Sequence, residues 1–269
     1  MSISFNRLPF WGSVNQINPI NKQPQTAKPV SYDLPPDRWE FSSPARYTSE
    51  YMVNKLANSN PNVQKILTAN NIPYNLNMEG LNNVLNTHAK TTQNIAEGIV
   101  QNLPFNLNQK ADLQTIKNAA YLHDIGKVFI PPEILDKNGK LSESEQIIMH
   151  KHPELGYELL KNAHIDPKVL NIIRNHHQNA QKSGYPNVNN NFYADMNLQI
   201  VSIADKYSAL TEKRSYKPPL SRENALNIIR TDVRDGKFNP LIYNALVAYT
   251  DDCALNTPRI ARQNNIQIR

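Results

Sequence analysis

The chain has 269 residues, with 29 Lys and Arg against 23 Asp and Glu, and a formal net charge of +6 at pH 7. The cations are spread along the chain without a basic run, which argues against nucleic acid as a ligand. No stretch approaches the about 20 apolar residues of a membrane span, and the single cysteine, Cys253, excludes an internal disulfide. The N-terminus also lacks the features of a signal peptide, so we expect a cytoplasmic protein without a membrane span.

The sequence divides into four regions. Residues 1–45 are rich in Asn, Gln, Pro and Ser and lack helical or strand periodicity, which predicts a disordered N-terminal extension that could bind a protein partner. Residues 46–78 carry short apolar patterns that predict a small helical segment. Residues 79–250 have helical periodicity throughout and predict the main domain. Residues 251–269 are polar and basic, and we expect a frayed tail.

The main domain is predicted to be all-α, because no part of it alternates with a period of two. Apolar residues recur every three or four positions between Leu81 and Val100, which predicts one long amphipathic helix that carries His88. A second helix is expected from about Asp112 to Ile125. Ser142 and Glu145 have the spacing of a capping box at the start of another helix. Further helices are expected over 155–163, 167–179, 195–211, 221–234 and 238–250.

Five of the seven histidines fall in one ordered series with two aspartates, and this concentration predicts a metal site. Singly, each histidine could be a surface or core residue, as we expect for His150 and His164. The candidate metal ligands are His88, His123, Asp124, His152, His176, His177 and Asp205. This set is large enough for two ions, because the two oxygens of Asp124 can bridge them while each histidine serves one. Mixed imidazole and carboxylate ligands favour iron or manganese.

The motifs around these residues resemble a known family. Leu-His-Asp-Ile-Gly-Lys at 122–127 is similar to the signature of HD-domain phosphohydrolases, and the segments 130–160, 176–186 and 200–217 resemble the HD-GYP branch. The resemblance covers about residues 80 to 245. It implies an HD-domain helical bundle with HD-GYP-type C-terminal helices, and it favours His152 over His150 as a ligand.

The resemblance also implies an activity. HD-GYP proteins are metal-dependent phosphodiesterases that cleave cyclic di-GMP, so it implies a small anionic nucleotide as substrate. In that family a lysine contacts the substrate phosphate, a basic pair grips the ligand, and the Gly-Tyr-Pro segment forms a lip beside the site. Carried over by position, the catalytic residues are Asp124, Lys127 and Asp205, and the substrate-binding residues are Lys127, Tyr185, Arg214 and Lys217.

This chain departs from the family pattern where acidic residues are usual. The departures are Gln178, Gln181, Lys182, Ser208 and Asn239. We expect metal ligation to survive them, whereas altered acids around a site can change ligand orientation and proton transfer. Val84 stands where some members carry a glutamate for a third metal, which predicts a two-metal centre. Two alternatives therefore stay open: an HD phosphohydrolase acting on another nucleotide or phosphate ester, and a catalytically degenerate HD-GYP regulatory or binding module.

Overall fold

The structure, a computed structural model, describes residues 43–213 and 218–256. Within these ranges it contains helices and no strand, which confirms the all-α prediction. Almost all of the predicted extension 1–45 and most of the predicted tail 251–269 lie outside the described residues. The last described helix continues to Asn256, beyond its predicted end at 250. None of the described helices is both long and apolar enough to cross a membrane.

The described part of the chain forms thirteen α-helices, three short helical segments of other types, and the loops between them. The α-helices are α1 Glu50–Ser59, α2 Pro61–Ala69, α3 Met78–Val84, α4 Lys90–Gln101, α5 Phe105–Asn108, α6 Leu113–Leu122, α7 Pro132–Leu135, α8 Glu143–Met149, α9 His152–Leu160, α10 Pro167–Asn175, α11 Met196–Thr211, α12 Arg222–Arg234 and α13 Pro240–Asn256. The other segments are the 3-10 turns Pro44–Tyr47 and Ile125–Phe129 and the π turn Leu85–Ala89.

Polar side chains define where most of these helices begin. Eight helices follow a Ser, Asn or Asp whose side chain accepts a hydrogen bond from a backbone N–H of the first turn, which satisfies a donor that the helix itself leaves free. These residues are Ser49, Asn60, Asn77, Asp112, Ser142, Asp166, Asp195 and Ser221. The capping box predicted at Ser142 and Glu145 is confirmed, with both of its hydrogen bonds present.

The core is built around α4, which packs against α6, α11 and α13, while α9 packs against α10 and the 3-10 turn Ile125–Phe129. The apolar stripe of α4 is buried, including Ile95 and Ile99, and so are Ile116 on α6 and Ile203 on α11. Burial of such a side chain contributes roughly 1.5–3 kcal/mol. The helices that carry the candidate ligands are therefore fixed by an apolar core beneath them.

The long helix predicted around His88 is present but contains one irregular turn. Helices α3 and α4 are joined without a break by the π turn Leu85–Ala89, and His88 lies within that turn. π turns are rare and occur often at functional sites. Hydrophobic periodicity does not reveal such a turn, because it adds a single residue to an otherwise regular pattern.

Three of the wrongly predicted helix boundaries involve candidate ligands. The helix expected to reach Ile125 ends at Leu122, the helix expected to reach 179 ends at Asn175, and the helix expected from 155 begins at His152. Neighbouring residues in a continuing helix point about 100° apart. Ending each helix beside its ligands frees the backbone to turn adjacent side chains toward one cleft.

Candidate metal centre

The structure brings all seven predicted ligand residues together. His88 lies in the π turn, His123 and Asp124 follow α6, His152 begins α9, the pair at 176–177 follows α10, and Asp205 lies within α11. Six of the seven residues are buried, and His177 is partly exposed at the cleft. Histidine and aspartate are rarely buried without a partner, so this grouping calls for a specific chemical role.

Three of the histidines are oriented by the helix ends beside them. The Nδ1 atoms of His123, His152 and His176 each lie 2.7–2.9 Å from the backbone carbonyl oxygen three residues earlier. Those carbonyl groups belong to the last turns of α6, α8 and α10, where the helix leaves acceptors free. Since a carbonyl oxygen only accepts, each Nδ1 carries a proton, and each Nε2 is directed at the cleft.

The ligand atoms form two clusters with Asp124 between them. The first cluster is His88, His123 and Asp205, and the second is His152, His176 and His177. One oxygen of Asp124, Oδ2, lies 3.2 Å from Nε2 of His123 and 3.6 Å from Nε2 of His88. Its other oxygen, Oδ1, lies 3.1 Å from Nε2 of His152 and 3.9 Å from Nε2 of His176. The carboxylate thus presents one oxygen to each cluster, as a bridging ligand requires.

Unpartnered polar atoms show that these residues fit metal ions. The Nε2 atoms of His152 and His176 face each other at 3.2 Å, although both rings carry their proton on Nδ1. Two lone pairs at that distance repel unless a cation lies beside them. Nε2 of His123 and Oδ1 of Asp124 are also buried without a hydrogen-bond partner in the described structure. Divalent ions bound by imidazole and carboxylate would satisfy all of these atoms.

Carboxylates set the protonation of the first cluster. Burial lowers the pKa of His123, but the nearby negative charges of Asp124 and Asp205 outweigh it and raise the pKa to about 10. Burial also lowers the pKa of His88, but hydrogen bonds to Asp205 and Glu212 outweigh this effect, and the pKa is raised. Without metal, the raised pKa values therefore favour the protonated form of both rings in the first cluster.

The second cluster has the opposite tendency, because imidazoles outnumber carboxylates there. Burial and the neighbouring imidazoles hold the pKa of His176 well below its usual range. Burial is also the main cause that lowers the pKa of His152 and brings that of His177 to about 3. The lowered pKa values favour the neutral form of all three rings, which is the form that binds a cation, since metal ligation requires the unprotonated imidazole.

The two clusters should therefore differ in how metal binding depends on pH. Protons compete with the metal at the first cluster, where the histidine pKa values are raised, and not at the second. We expect about one Mn(II) ion per chain near pH 6 and about two near pH 8, with proton release accompanying the second ion. Equilibrium dialysis with metal analysis at both pH values measures this. The same metal content at both values, without proton release, would contradict the assignment.

A close backbone approach holds the two halves of the centre together. Gly126, in the 3-10 turn after Asp124, packs directly on α9: a Cβ atom there would overlap the carbonyl oxygen of His152 and lie 2.5 Å from the backbone nitrogen of Gly156. Only glycine permits this approach. It places Asp124 and His152 side by side.

The predicted substrate residues that the structure describes also lie at the centre. Nζ of Lys127 is 2.6 Å from Oδ2 of Asp124, and its side chain reaches a cleft of about 660 Å³ that opens over the ligands. Tyr185 and Val84 line the same cleft. Arg214 and Lys217 fall outside the described residues, so their predicted roles remain predictions.

His150 is exposed, which confirms the expectation of a surface residue, and it also contacts the site through Tyr185. Its ring stacks on that of Tyr185 with centroids 3.9 Å apart, and the ring of Tyr185 lies 4.5 Å from that of His177. Tyr185 therefore lies between the candidate ligand His177 and His150. The sequence signal for this contact was weak, because His150 and Tyr185 are far apart along the chain.

Most residues at the altered acidic positions contact the Gly-Tyr-Pro lip or nearby loops and do not contact the candidate ligands. Gln178 is buried: its Nε2 donates to the carbonyl oxygen of Pro186, and its Oε1 accepts from the backbone nitrogen of Gly184. Gln181 is exposed, and the side chain of Asn239 accepts from the backbone at the start of α13. Among these changed positions, Ser208 is the one that contacts a candidate ligand, since its Oγ lies 3.1 Å from Nδ1 of His88.

Replacing Gln178 with the glutamate usual in the family should lower the stability of the protein and should not raise its turnover. A carboxylate in Gln178→Glu could still accept from Gly184 but would face the carbonyl oxygen of Pro186, now 2.6 Å from the amide nitrogen. We expect a loss of about 1–3 kcal/mol in unfolding free energy and no gain in turnover. Thermal melts and rate assays measure both, with Gln181→Glu at the exposed position as the matched control. A faster Gln178→Glu enzyme would show that a carboxylate belongs in the chemistry here.

Comparison with known proteins agrees with this architecture. The family model described as "HD domain" matches residues 75–242. The chain is 37% identical over 148 residues to 3'3'-cGAMP-specific phosphodiesterase 2 of Vibrio cholerae serotype O1, covering 53% of this chain and 28% of that protein. It is also 37% identical over 139 residues to the cyclic di-GMP phosphodiesterase response regulator RpfG of Xanthomonas campestris pv. campestris, covering 51% of this chain and 36% of that protein. The chain thus spans about a third of the length of these curated relatives.

A solved structure has the same fold. Bd1817, an HDG"Y"P protein from Bdellovibrio bacteriovorus, aligns with a TM-score of 0.51 at 18% identity, covering 77% of this chain and 68% of that chain. The family match includes every residue of the two clusters. It shows that the chain belongs to the HD domain family.

Proposed function

We propose that the chain is a phosphodiesterase that hydrolyses a cyclic dinucleotide at a centre of two divalent metal ions, with cyclic di-GMP as the leading substrate. The observation that supports this proposal is the position of Asp124, which directs one carboxylate oxygen toward each cluster. Iron and manganese are the proposed metals, because both accept mixed imidazole and carboxylate ligands. Two such ions would supply an activated water and neutralise charge on the phosphate oxygens.

The proposed ligand sets follow the two clusters. One ion would be held by His88, His123 and Asp205, and the other by His152, His176 and His177, with Asp124 shared between them. Asp205 supports this division, because Oδ1 lies 2.9 Å from Nε2 of His88 while Oδ2 lies 3.7 Å from Nδ1 of His177. Asp205 therefore lies close to histidines of both clusters.

The cleft is suited to an anionic nucleotide. Its volume lies within the usual range of ligand pockets, about 300–1,000 Å³. Lys127, Lys140 and Lys213 line it, and Lys140 and Lys213 are exposed. The proposed role of Lys127 is to donate a charge-assisted hydrogen bond to a phosphate oxygen. Tyr185 forms a wall beside His177, and by resemblance Arg214 and Lys217 would hold the rest of the substrate.

The relatives support the class of substrate. By their names, the Vibrio cholerae protein acts on 3'3'-cGAMP and the Xanthomonas campestris protein on cyclic di-GMP. Both compounds are cyclic dinucleotides with two phosphodiester groups, so the same hydrolytic chemistry serves either. The choice between them depends on contacts to the bases. We prefer cyclic di-GMP because the motifs of this chain resemble those of HD-GYP proteins.

The decisive experiment uses protein purified without oxygen and loaded with Fe(II) or Mn(II). It is incubated with cyclic di-GMP, with 3'3'-cGAMP and with a panel of nucleotides, and the products are separated by chromatography. We expect conversion of cyclic di-GMP to the linear dinucleotide or to GMP. Turnover of a different phosphate ester alone would assign the chain to another HD phosphohydrolase activity. No turnover by protein that holds two ions would identify a regulatory or binding module.

A further inference from the structure

His88 is held in a different way from the other buried histidines. His123, His152 and His176 each donate from Nδ1 to a free carbonyl group at a helix end. His88 lies inside the continuous helical stretch from α3 to α4, where the carbonyl groups of the preceding turn are engaged in the helix. Its Nδ1 therefore needs a partner from another part of the chain.

That partner is a carboxylate at the end of α11. Oε2 of Glu212 lies 2.9 Å from Nδ1 of His88, across 124 residues of sequence. Oγ of Ser208, one turn earlier on α11, donates to Oε1 of Glu212 at 2.8 Å and lies 3.1 Å from the same Nδ1. Ser208 thus fixes one oxygen of Glu212 and leaves the other for the imidazole.

The carboxylate of Glu212 compensates for the change from aspartate to serine at position 208. The family pattern places an aspartate at this position. Ser208 has a hydroxyl group there and therefore offers no carboxylate to His88. Glu212, the residue that follows α11, supplies a carboxylate instead, and its partly exposed side chain lines the cleft. A carboxylate that accepts from the distal nitrogen of a ligand histidine fixes its tautomer and its orientation.

We infer that Glu212 is the positioning residue that holds His88 with Nε2 directed at the metal centre, in place of the carboxylate absent from position 208. The inference rests on the proposed function, because it assigns His88 as a ligand of that centre. Loss of such a partner typically costs about 10–100-fold in metal affinity. We expect a loss of that size in Glu212→Ala and a smaller one in Glu212→Gln, whose amide oxygen can still accept from Nδ1.

The test combines metal binding with a rescue variant. Mn(II) affinity is measured by competition with a chelator in the wild type, Glu212→Ala, Glu212→Gln and the double variant Ser208→Asp/Glu212→Ala. We expect the double variant to regain most of the affinity, because Asp at 208 returns a carboxylate beside Nδ1 of His88. Glu223→Ala, at an exposed acid on α12, is the matched control. Unchanged affinity in Glu212→Ala, or no recovery in a folded double variant, overturns the inference.

A second measurement does not depend on a variant that folds. In wild-type protein loaded with Zn(II) and labelled with ¹⁵N at histidine, NMR identifies which nitrogen of His88 carries the proton. A proton on Nδ1 supports the inference, and a proton on Nε2 overturns it. Neither readout needs a substrate, so failure of the proposed function, seen as no turnover by wild-type protein, is separate from failure of the role of Glu212. If the wild type is active, excess Mn(II) should restore turnover to Glu212→Ala.

Discussion

Replacing Asp124 with asparagine should abolish turnover and leave the centre with one metal ion or none. The change keeps the size of the side chain but turns one oxygen into an N–H donor, which repels a cation. Since the two oxygens face two clusters, whichever cluster receives the nitrogen loses a ligand, and the shared charge disappears. Metal ions supply several kcal/mol of stabilisation to the reaction at phosphorus, so we expect turnover to fall about 10³-fold or more.

Metal analysis after gel filtration, together with the rate of hydrolysis, measures this outcome. Asp136→Asn is the control, because Asp136 is an exposed carboxylate on the rim of the same cleft. That variant should keep both the metal content and the rate of the wild type. An Asp124→Asn protein that retains two ions and normal turnover would rule out Asp124 as the bridging ligand.

Gly126→Ala should destabilise the protein and separate the two clusters. The added methyl group would overlap the carbonyl oxygen of His152, and backbone atoms cannot move aside as a flexible side chain can. Overpacking of this kind typically costs about 1–3 kcal/mol, and we expect the upper end of that range, with the melting temperature lower by roughly 6–12 °C. Movement of α9 would also draw His152 away from Asp124, so the metal content should fall.

Gly156→Ala provides a graded control on the same contact. Gly156 faces Gly126 from α9, and a Cβ atom there would lie 3.2 Å from the backbone nitrogen of Gly126, which is tight but not an overlap. Alanine in the interior of a helix also gains about 1 kcal/mol over glycine, so the two effects offset each other. Thermal melts of both variants should show a large loss for Gly126→Ala and little change for Gly156→Ala. Equal losses would mean that the close approach at Gly126 is unimportant.

The helical fold could be predicted because apolar residues mark the buried faces of the helices. The stripe from Leu81 to Val100 and the capping box at Ser142 both correspond to what the structure contains. The ends at Leu122 and Asn175 could not be predicted. Those ends place carbonyl groups opposite the histidines that follow, which is a requirement of the candidate site rather than of local helix propensity.

The candidate ligands could be chosen from their residue types and order, since few other roles gather so many histidines and aspartates. The residues around them could not. His150 contacts the site only through the ring of Tyr185, and Glu212 reaches His88 across 124 residues. Neither contact has a local pattern, because both depend on how helices pack. Similarly, the Gln178 amide could be recognised as a departure, but its two hydrogen bonds to the lip became visible only in three dimensions.

The metal centre joins parts of the chain that are far apart in sequence. Its residues come from the π turn before α4, the end of α6, the start of α9, the end of α10 and the middle of α11, and His88 contacts Asp205 across 117 residues. Ions held there would act as a removable cross-link between these helices. A ligand that binds only the folded state adds about 4 kcal/mol at 1,000 times its Kd. A shortage of metal in the cell would therefore reduce the amount of folded protein as well as its activity.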